Sequence, residues 1–235
     1  MKAQGEDKNL KKIVGLAAAD LVKDGMTVGI GTGSTAAFFI EELGRRIRDG
    51  LSIRGVPTSY QAKLMCHKHG IPLLDPSLVD RLDIAIDGAD EIDYSLNAIK
   101  GGGAANTMEK VIAAMADEFV IIVDHSKLVE KLAVSFPVPL EVVPAALSFV
   151  MRRVREIGSR PELRMAVKKA GPVVTDNGNF MVDLYFDEAP DVYRLDRMLK
   201  SIPGILENGL FLGMAHKALV AWEDGVEVML AGPKD

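Results

Sequence analysis

The feature that most constrains this chain is a rhythm. Short apolar runs alternate with segments of helical periodicity through its first half. Leu10, Ile13, Val14, Ala17, Ala18, Leu21 and Val22 predict an amphipathic helix over residues 6–23, ended by Lys23-Asp24-Gly25. Residues 26–30 (MTVGI) read as a buried strand, 36–47 as a second amphipathic helix, and 51–55 as a strand that leaves through Val56-Pro57. A helix over 60–69 follows, capped by Thr58-Ser59 and closed by Gly70, then a short strand over 71–74 and a turn at Asp75-Pro76-Ser77. Strands over 82–86 and 118–123 flank a helix that begins near Ala104. Apolar strands separated by helices require a sheet covered on both faces. The expected fold is therefore α/β, a doubly wound, mostly parallel sheet with its sites at the carboxyl ends of the strands.

From Phe136 the rhythm changes. A proline-broken strand over 137–144 precedes a helix over 145–157, strands over 162–167 and 180–186, a helix over 191–202 and an extended run over 205–211. The order βαββαβ is ferredoxin-like. Residues 135–206 are expected to form a second, smaller α+β domain, leaving 1–134 plus 207–235 as the larger one. The tail reads as a hairpin, 218–222 and 226–230 split by Glu223-Asp224-Gly225, that returns to the larger domain.

Composition excludes several classes. A net charge of −5 argues against a broad nucleic-acid surface. The single cysteine, Cys66, has no internal partner, which fits a reducing compartment and reads as a helix-packing thiol. The charged start MKAQGEDKNLKK lacks the apolar core of a secretory signal, and no run approaches the ~18 apolar residues of a membrane span. The expectation is a cytoplasmic protein with no membrane or nucleic-acid partner.

Three loops directly after strands carry chemistry, and should share one rim of the sheet. The first is Gly31-Thr32-Gly33-Ser34-Thr35, between a strand and a helix N-terminus, the geometry that binds anions. It lacks the third glycine of a dinucleotide fingerprint and the Gly-Lys-Ser/Thr of a nucleotide phosphate loop. That leaves one small phosphate, or a plain helix cap by Ser34 or Thr35. The second loop is Asp87-Gly88-Ala89-Asp90, followed by Glu91 and Asp93. It can be a solvated acidic turn, a divalent-metal site or an acid–base site for hydroxyl groups. Nearby Lys100-Gly101-Gly102-Gly103 favours the third, because the lysine would compete with a metal for the carboxylates. Three glycines also cost conformational entropy unless backbone must approach something closely. The third loop is Asp124-His125-Ser126-Lys127.

On the helix after the glycines, Met108, Val111, Ile112 and Met115 are expected to form the buried stripe. Glu109 falls at its margin beside Ala105, Ala113 and Ala116, with Lys110 turned farther toward solvent. A carboxylate so placed is either a desolvated base with a raised pKa or an ordinary exposed helix glutamate. His67, His69, His125 and His216 show no metal-ligand or triad spacing, and no serine elbow is present.

Gly31-Thr32-Gly33-Ser34-Thr35, Asp87-Gly88-Ala89-Asp90-Glu91, Lys100-Gly101-Gly102-Gly103-Ala104-Ala105 with Glu109-Lys110, Lys127, and Thr175-Asp176-Asn177-Gly178-Asn179 together resemble the type A ribose-5-phosphate isomerases, in order and over nearly the full length. The resemblance implies a Rossmann-like domain with a small α+β domain. It implies interconversion of D-ribose 5-phosphate and D-ribulose 5-phosphate in the non-oxidative pentose phosphate pathway, without metal or organic cofactor, in a homodimer or homotetramer. It assigns Glu109 as proton acceptor, with Asp87, Asp90 and Lys100 as further catalytic groups. Thr32, Gly33, Ser34, Thr35, Gly88, Ala89, Gly101, Gly102, Gly103 and Lys127 become substrate-binding residues, and Lys11 a further phosphate contact. Met108, where some members carry a basic residue, and Met214-Ala215-His216-Lys217, where an acidic segment is expected, depart from the pattern. Two other classes stay in view: a sugar-phosphate sensor, which would need a DNA-binding helix-turn-helix ahead of the first strand but not Glu109, and an acyl-CoA transferase with a glutamate nucleophile.

Overall fold

The computed structural model describes residues 2–232, with side-chain placement from residue 8 onward. The chain opens with α1 (Lys2–Ala19), β1 (Thr27–Ile30), α2 (Ser34–Arg48), β2 (Arg54–Pro57), α3 (Tyr60–Lys68) and β3 (Leu82–Asp87). Two short strands, β4 (Glu91–Asp93) and β5 (Ala98–Ile99), lead to α4 (Asn106–Met115), β6 (Ala116–Asp124) and β7 (Leu128–Val129). Then come β8 (Val138–Val142), α5 (Leu147–Glu156), β9 (Arg160–Leu163), β10 (Phe180–Tyr185), α6 (Val192–Lys200) and β11 (Ile205–Asn208). The chain closes with β12 (Leu210–Phe211), β13 (Lys217–Trp222) and β14 (Gly225–Leu230).

The main sheet has the order β2-β1-β3-β6-β13-β14, parallel except for the antiparallel edge strand β14. It is the expected doubly wound, Rossmann-like α/β sheet. Alternation within its strands explains why both faces are covered. Ile84, Ile86, Val120 and Ile122 join Val14, Phe39, Ile40 and Leu43 of α1 and α2 in one core. Ala85, Phe119, Ile121 and Val123 join Ile112 of α4 and Phe211 in the other. The order of the five parallel strands reverses direction between β1 and β3. In doubly wound sheets that crevice is where ligands bind. The Gly31 turn and the Asp87 loop, which follow those two strands, flank it.

A second, four-stranded antiparallel sheet runs β11-β8-β10-β9, the strand order of a ferredoxin-like fold, and packs with α5 and α6 around Leu140, Val150, Val182 and Leu199. A third small sheet, β12-β5-β4-β7, joins the two. Helix α4 touches β3 and β6 of the main sheet and β8 and β11 of the second.

Several boundaries differ from the sequence expectation. Helix α1 stops at Ala19 rather than Lys23, because Arg46 donates to the carbonyls of Ala19 and Val22 and so ends the ladder from outside. The strand expected over 51–55 starts only at Arg54. Leu51 N is held by Arg46 O and Ser52 N by the Asp24 carboxylate, so this segment serves a turn. Residues 71–74 make one bridge, Gly55 to Leu73, and no strand, since Pro72 has no donor. The strand expected over 162–167 lies at Arg160–Leu163. The tail hairpin and the Ser59 cap, which accepts from Ala62 N, occur as expected. Cys66 is fully buried on α3, where burial pushes the thiol up to about 12.

Candidate active site

The Gly31 turn is built around Gly33, which occupies φ +106, a conformation that L side chains rarely adopt. Gly33 is the N-cap of α2 and offers no side chain, and neither Ser34 nor Thr35 caps the helix; both lie inside its first turn. The plain-cap reading of those hydroxyls is thereby corrected. The uncapped amides at this helix start are donors for an anion. Thr32 hydrogen-bonds through Oγ1 to Thr58 Oγ1 at 2.8 Å and Ser59 Oγ at 2.6 Å, so β1 and β2 present a continuous hydroxyl wall. Thr58 and Ser59 were legible in the sequence only as a helix cap.

Across the crevice, Asp87 ends β3 and is 2 % exposed. Its Oδ1 accepts from Thr32 N at 3.0 Å and Gly88 N at 2.8 Å, tying the two loops together. Gly31 must lack a side chain for this: a Cβ there would lie 2.1 Å from Asp87 Oδ1. Lys100 follows β5 and reaches back beneath the loop, donating to Gly88 O at 2.5 Å. Its Nζ lies 3.0 Å from Asp87 Oδ2 and 3.4 Å from Glu109 Oε2. Those two carboxylate oxygens are buried, and among the described residues the Lys100 ammonium is their polar partner. Asp90 is half-buried and accepts from Gly102 N at 2.8 Å. Ala104, at φ +59, turns the glycine loop into α4. A Cβ on Gly103 would be 3.7 Å from Thr32 Cγ2, so the glycine loop lies against the first turn.

Glu109 is 5 % exposed, and burial raises its pKa to about 8; Lys100 opposes that rise, and Asp87 and Asp90 add to it. Burial likewise raises Asp87, against the pull of Lys100. For Lys100 burial works against the ammonium, but the carboxylates of Asp87 and Glu109 outweigh it and hold the group above its usual range. Two buried acids sharing one buried cation keep a proton near neutrality, and Glu109 is the natural carrier. The arrangement can take up and return a proton beside a fixed positive charge.

Helix α4 is rotated relative to the expected stripe. Val111 is 44 % exposed, whereas Lys110 is buried, donating to Glu207 at 2.9 Å and to Asn208 O at 2.7 Å. Strand β11 covers the face that the sequence left to solvent. Burial lowers the Lys110 pKa, while Glu207 opposes that. Lys110 and Lys100 both approach the ring of Phe211, with Nζ 5.0 and 5.4 Å from its centroid. Nothing in the sequence near Phe211 signals that role.

Of the other expected site residues, Gly88 and Ala89 are half-buried in the Asp87 loop. Lys127 ends a turn after β6, on the same rim, without a hydrogen bond or ion pair to the cluster. Lys11 is half-buried on α1, whose partner is α2. Residues 175–179 come to the site from the second sheet: Asp176 accepts from Tyr60 N at 2.8 Å at the start of α3. A cavity of about 470 Å³ opens there, lined by Thr58, Ser59, Tyr60, Lys63, Met108 and Asp176 among others. Its lining excludes Asp87, Lys100 and Glu109, so it adjoins the buried cluster through the hydroxyl wall and Met108. His216 accepts from Phe119 N through Nδ1 at 3.0 Å, which gives the departing tail segment a sheet-closing role. Among the described residues no group of three or more His, Cys, Asp or Glu is arranged to hold a metal ion, and no helix is long and apolar enough to cross a membrane.

Residues 54–225 match the family model of ribose 5-phosphate isomerase A (phosphoriboisomerase A). A ribose-5-phosphate isomerase A of Thermosynechococcus vestitus is 54% identical over 215 residues, 91% of each chain. One from Methanothermobacter thermautotrophicus is 47% identical over 222 residues, 94% of this chain and 97% of the other. The solved ribose 5-phosphate isomerase A of Methanocaldococcus jannaschii superposes with a TM-score of 0.92 at 45% identity, covering 95% of this chain and 99% of that one. A D-ribose-5-phosphate isomerase in complex with phospho-erythronic acid superposes with a TM-score of 0.91 at 45% identity, covering 94% and 98%.

Proposed function

This chain belongs to the ribose 5-phosphate isomerase A family, and on that premise we propose how its buried cluster interconverts D-ribose 5-phosphate and D-ribulose 5-phosphate. The carrying observation is Glu109, buried, with a pKa raised to about 8 and 3.4 Å from the Lys100 ammonium.

Glu109 as carboxylate removes the proton from C2 of the open-chain aldose. The C–H electron pair forms the C1–C2 double bond of an enediolate, and the carbonyl oxygen on C1 takes the negative charge. Lys100 and the amide of Gly103 stabilise that oxygen, while the Gly102 amide holds Asp90. Asp87, with Asp90 orienting the sugar, relays the proton from the hydroxyl on C2 to the oxygen on C1. Glu109 then returns its proton to C1, giving the ketose. A positioned base of this kind contributes ~10²–10⁴-fold. Thr32, Gly33, Ser34 and Thr35, with Lys127 and Lys11, hold the phosphate, while Gly88 and Ala89 let the sugar lie close to backbone. The phosphate contacts align the carbon to be deprotonated. The relative's complex with phospho-erythronic acid, a phosphorylated sugar acid, supports a site that takes a phosphate together with an anionic oxygen such as that of the enediolate.

The finer readings belong to the same proposal: a cytoplasmic location, a homodimer or homotetramer, and a domain division of 135–206 against 1–134 plus 207–235. The separate core of the second sheet supports that division.

The test is turnover of ribose 5-phosphate by the purified chain, with and without chelator, and by Glu109→Gln. Loss of turnover and of solvent-proton exchange in the variant is the expected result. Wild-type turnover in Glu109→Gln would remove the base assignment, and chelator-sensitive activity would point to a metal instead.

A further inference from the structure

We propose that Arg164, which follows β9 of the second sheet, is a positioning residue for the isomerisation: it holds the Gly101-Gly102 and Gly102-Gly103 peptides so that the Gly102 amide stays on Asp90 and the Gly103 amide faces the sugar. The inference rests on the active-site reading above and adds to it a residue from outside the main sheet.

Arg164 is held on every side. Its Nε donates to Asp183 Oδ2 at 2.8 Å and its Nη2 to Asp183 Oδ1, a two-point fork that fixes the plane of the guanidinium. Its backbone N donates to Met181 O at 2.9 Å, and its carbonyl accepts from Val173 N at 2.8 Å. Both side chains of the pair are mostly buried. One nitrogen is then left for other work. Nη1 donates to Gly101 O at 2.8 Å and to Gly102 O at 3.1 Å.

The consequence follows from the trans peptide. A carbonyl and the N–H of the next residue share one plane and point in opposite directions. Drawing Gly101 O toward Arg164 aims Gly102 N–H away from it, and that amide meets Asp90 Oδ2 at 2.8 Å. Drawing Gly102 O the same way aims Gly103 N–H away from Arg164. That amide has no acceptor among the described residues, and Gly103 is the residue packed beside Thr32. Three glycines in a row are otherwise free to rotate their peptide planes, and a flipped peptide would present a carbonyl oxygen to an anion. Arg164 opposes that flip at two consecutive peptides.

A residue acting this way lowers the rate when removed, because the donors are misaimed rather than deleted. The experiment compares full-length wild type, Arg164→Ala, Arg164→Lys and Asp183→Asn in the same ribose 5-phosphate assay, with circular dichroism and thermal midpoints for each. Arg164→Ala is expected to lose about 10–100-fold in kcat with KM changed by less than about threefold, and added guanidinium ion at non-denaturing concentration to restore part of it. Arg164→Lys recovers part of the rate, and Asp183→Asn, which frees the fork, shows a smaller loss of the same kind. Wild-type kcat in Arg164→Ala overturns the proposal, as does a loss that matches the unfolded fraction and does not respond to guanidinium. If Arg164→Ala does not fold, Arg164→Lys decides: wild-type kcat in that variant also overturns it. A wild-type enzyme inactive on ribose 5-phosphate would instead overturn the reading of the site itself.

Discussion

The Lys100 ammonium stands 3.4 Å from the Glu109 carboxylate, and both side chains are almost completely buried. Removing charges from water is costly, and the pair sits beside a third charge, Asp87. Burial leaves Glu109 near 8, so in the free enzyme much of it is protonated at neutrality. The expected kcat/KM therefore rises with pH along an acid limb with an apparent pKa near 8, a value that belongs to the coupled cluster. Lys100 lowers the Glu109 value, so Lys100→Met moves the limb to higher pH as well as reducing kcat by about 10²–10³-fold. A pH–rate profile measures both. A wild-type limb below pH ~6 would contradict the raised value.

Stability should move the opposite way to activity at the same residue. The folded pKa of Glu109 is raised above the unfolded one, so its favourable contribution is complete below 4.5 and is lost as pH rises through about 8. Glu109→Gln removes that loss while keeping the shape. The variant is expected to be inactive yet more stable than wild type, by about 1–3 kcal/mol at pH 8.5, with the difference shrinking toward pH 5. Denaturant unfolding at the two pH values measures it. A less stable variant at pH 8.5 would show that Lys100 needs the Glu109 charge more than the fold suffers from it.

These two expectations rest on residues that the sequence exposed to different degrees. Glu109 was marked by its alanine neighbours, but its burial was not decidable, because the buried Lys100 that packs against it follows β5 and is itself paired with Asp87 at the end of β3. Strand β11, nearly a hundred residues away in sequence, covers Lys110 through Glu207 and Asn208, while Val111 is left exposed. The parallel sheet was legible because apolar runs and helical periods are local signals. Boundaries such as Ala19 and Arg54 were not, because Arg46 and Asp24 set them through tertiary hydrogen bonds. Gly31-Thr32-Gly33 and Lys100-Gly101-Gly102-Gly103 stood out by composition alone. Arg164, Asp183 and Phe211 carry no local motif and become visible only when the two sheets are brought together.

Glu141, on β8, is fully buried and accepts hydrogen bonds from Thr107, Thr175, Asn177 and Asn179. One carboxylate thus joins α4, two residues before Glu109, to the 175–179 turn. Glu141→Leu leaves the buried Thr175 hydroxyl and the half-buried Thr107 and Asn179 without their acceptor, and is expected to cost about 2–3 kcal/mol. Glu141→Gln keeps the volume but turns an amide toward two amide donors, with a smaller loss. Because Asp176 of the same turn bonds Tyr60 N, the folded Gln variant should also show reduced activity. Thermal unfolding with kinetics on the folded fraction checks both parts. A Leu variant within ~1 kcal/mol of wild type would mean that water replaces the carboxylate.

Gly31 and Gly33, two residues apart, should fail differently when given a methyl group. At Gly31 the added Cβ would lie 2.1 Å from Asp87 Oδ1 and 2.6 Å from Asp87 Cα. The second contact is backbone, so no rotamer change of Asp87 relieves it, and the carboxylate must leave its position against Lys100. At Gly33 a Cβ meets nothing within 4 Å, but the residue holds φ +106. An alanine there strains the helix start by roughly 1–2 kcal/mol and misaligns the anion-binding amides without touching Asp87. Gly31→Ala is thus expected to lower kcat by about 100-fold or more. Gly33→Ala is expected mainly to raise KM, by about tenfold, the mark of weakened ground-state binding. Steady-state kinetics on the two variants separates catalytic from holding roles within one five-residue turn. Wild-type kcat in Gly31→Ala would mean that the Asp87 position is not required for the chemistry.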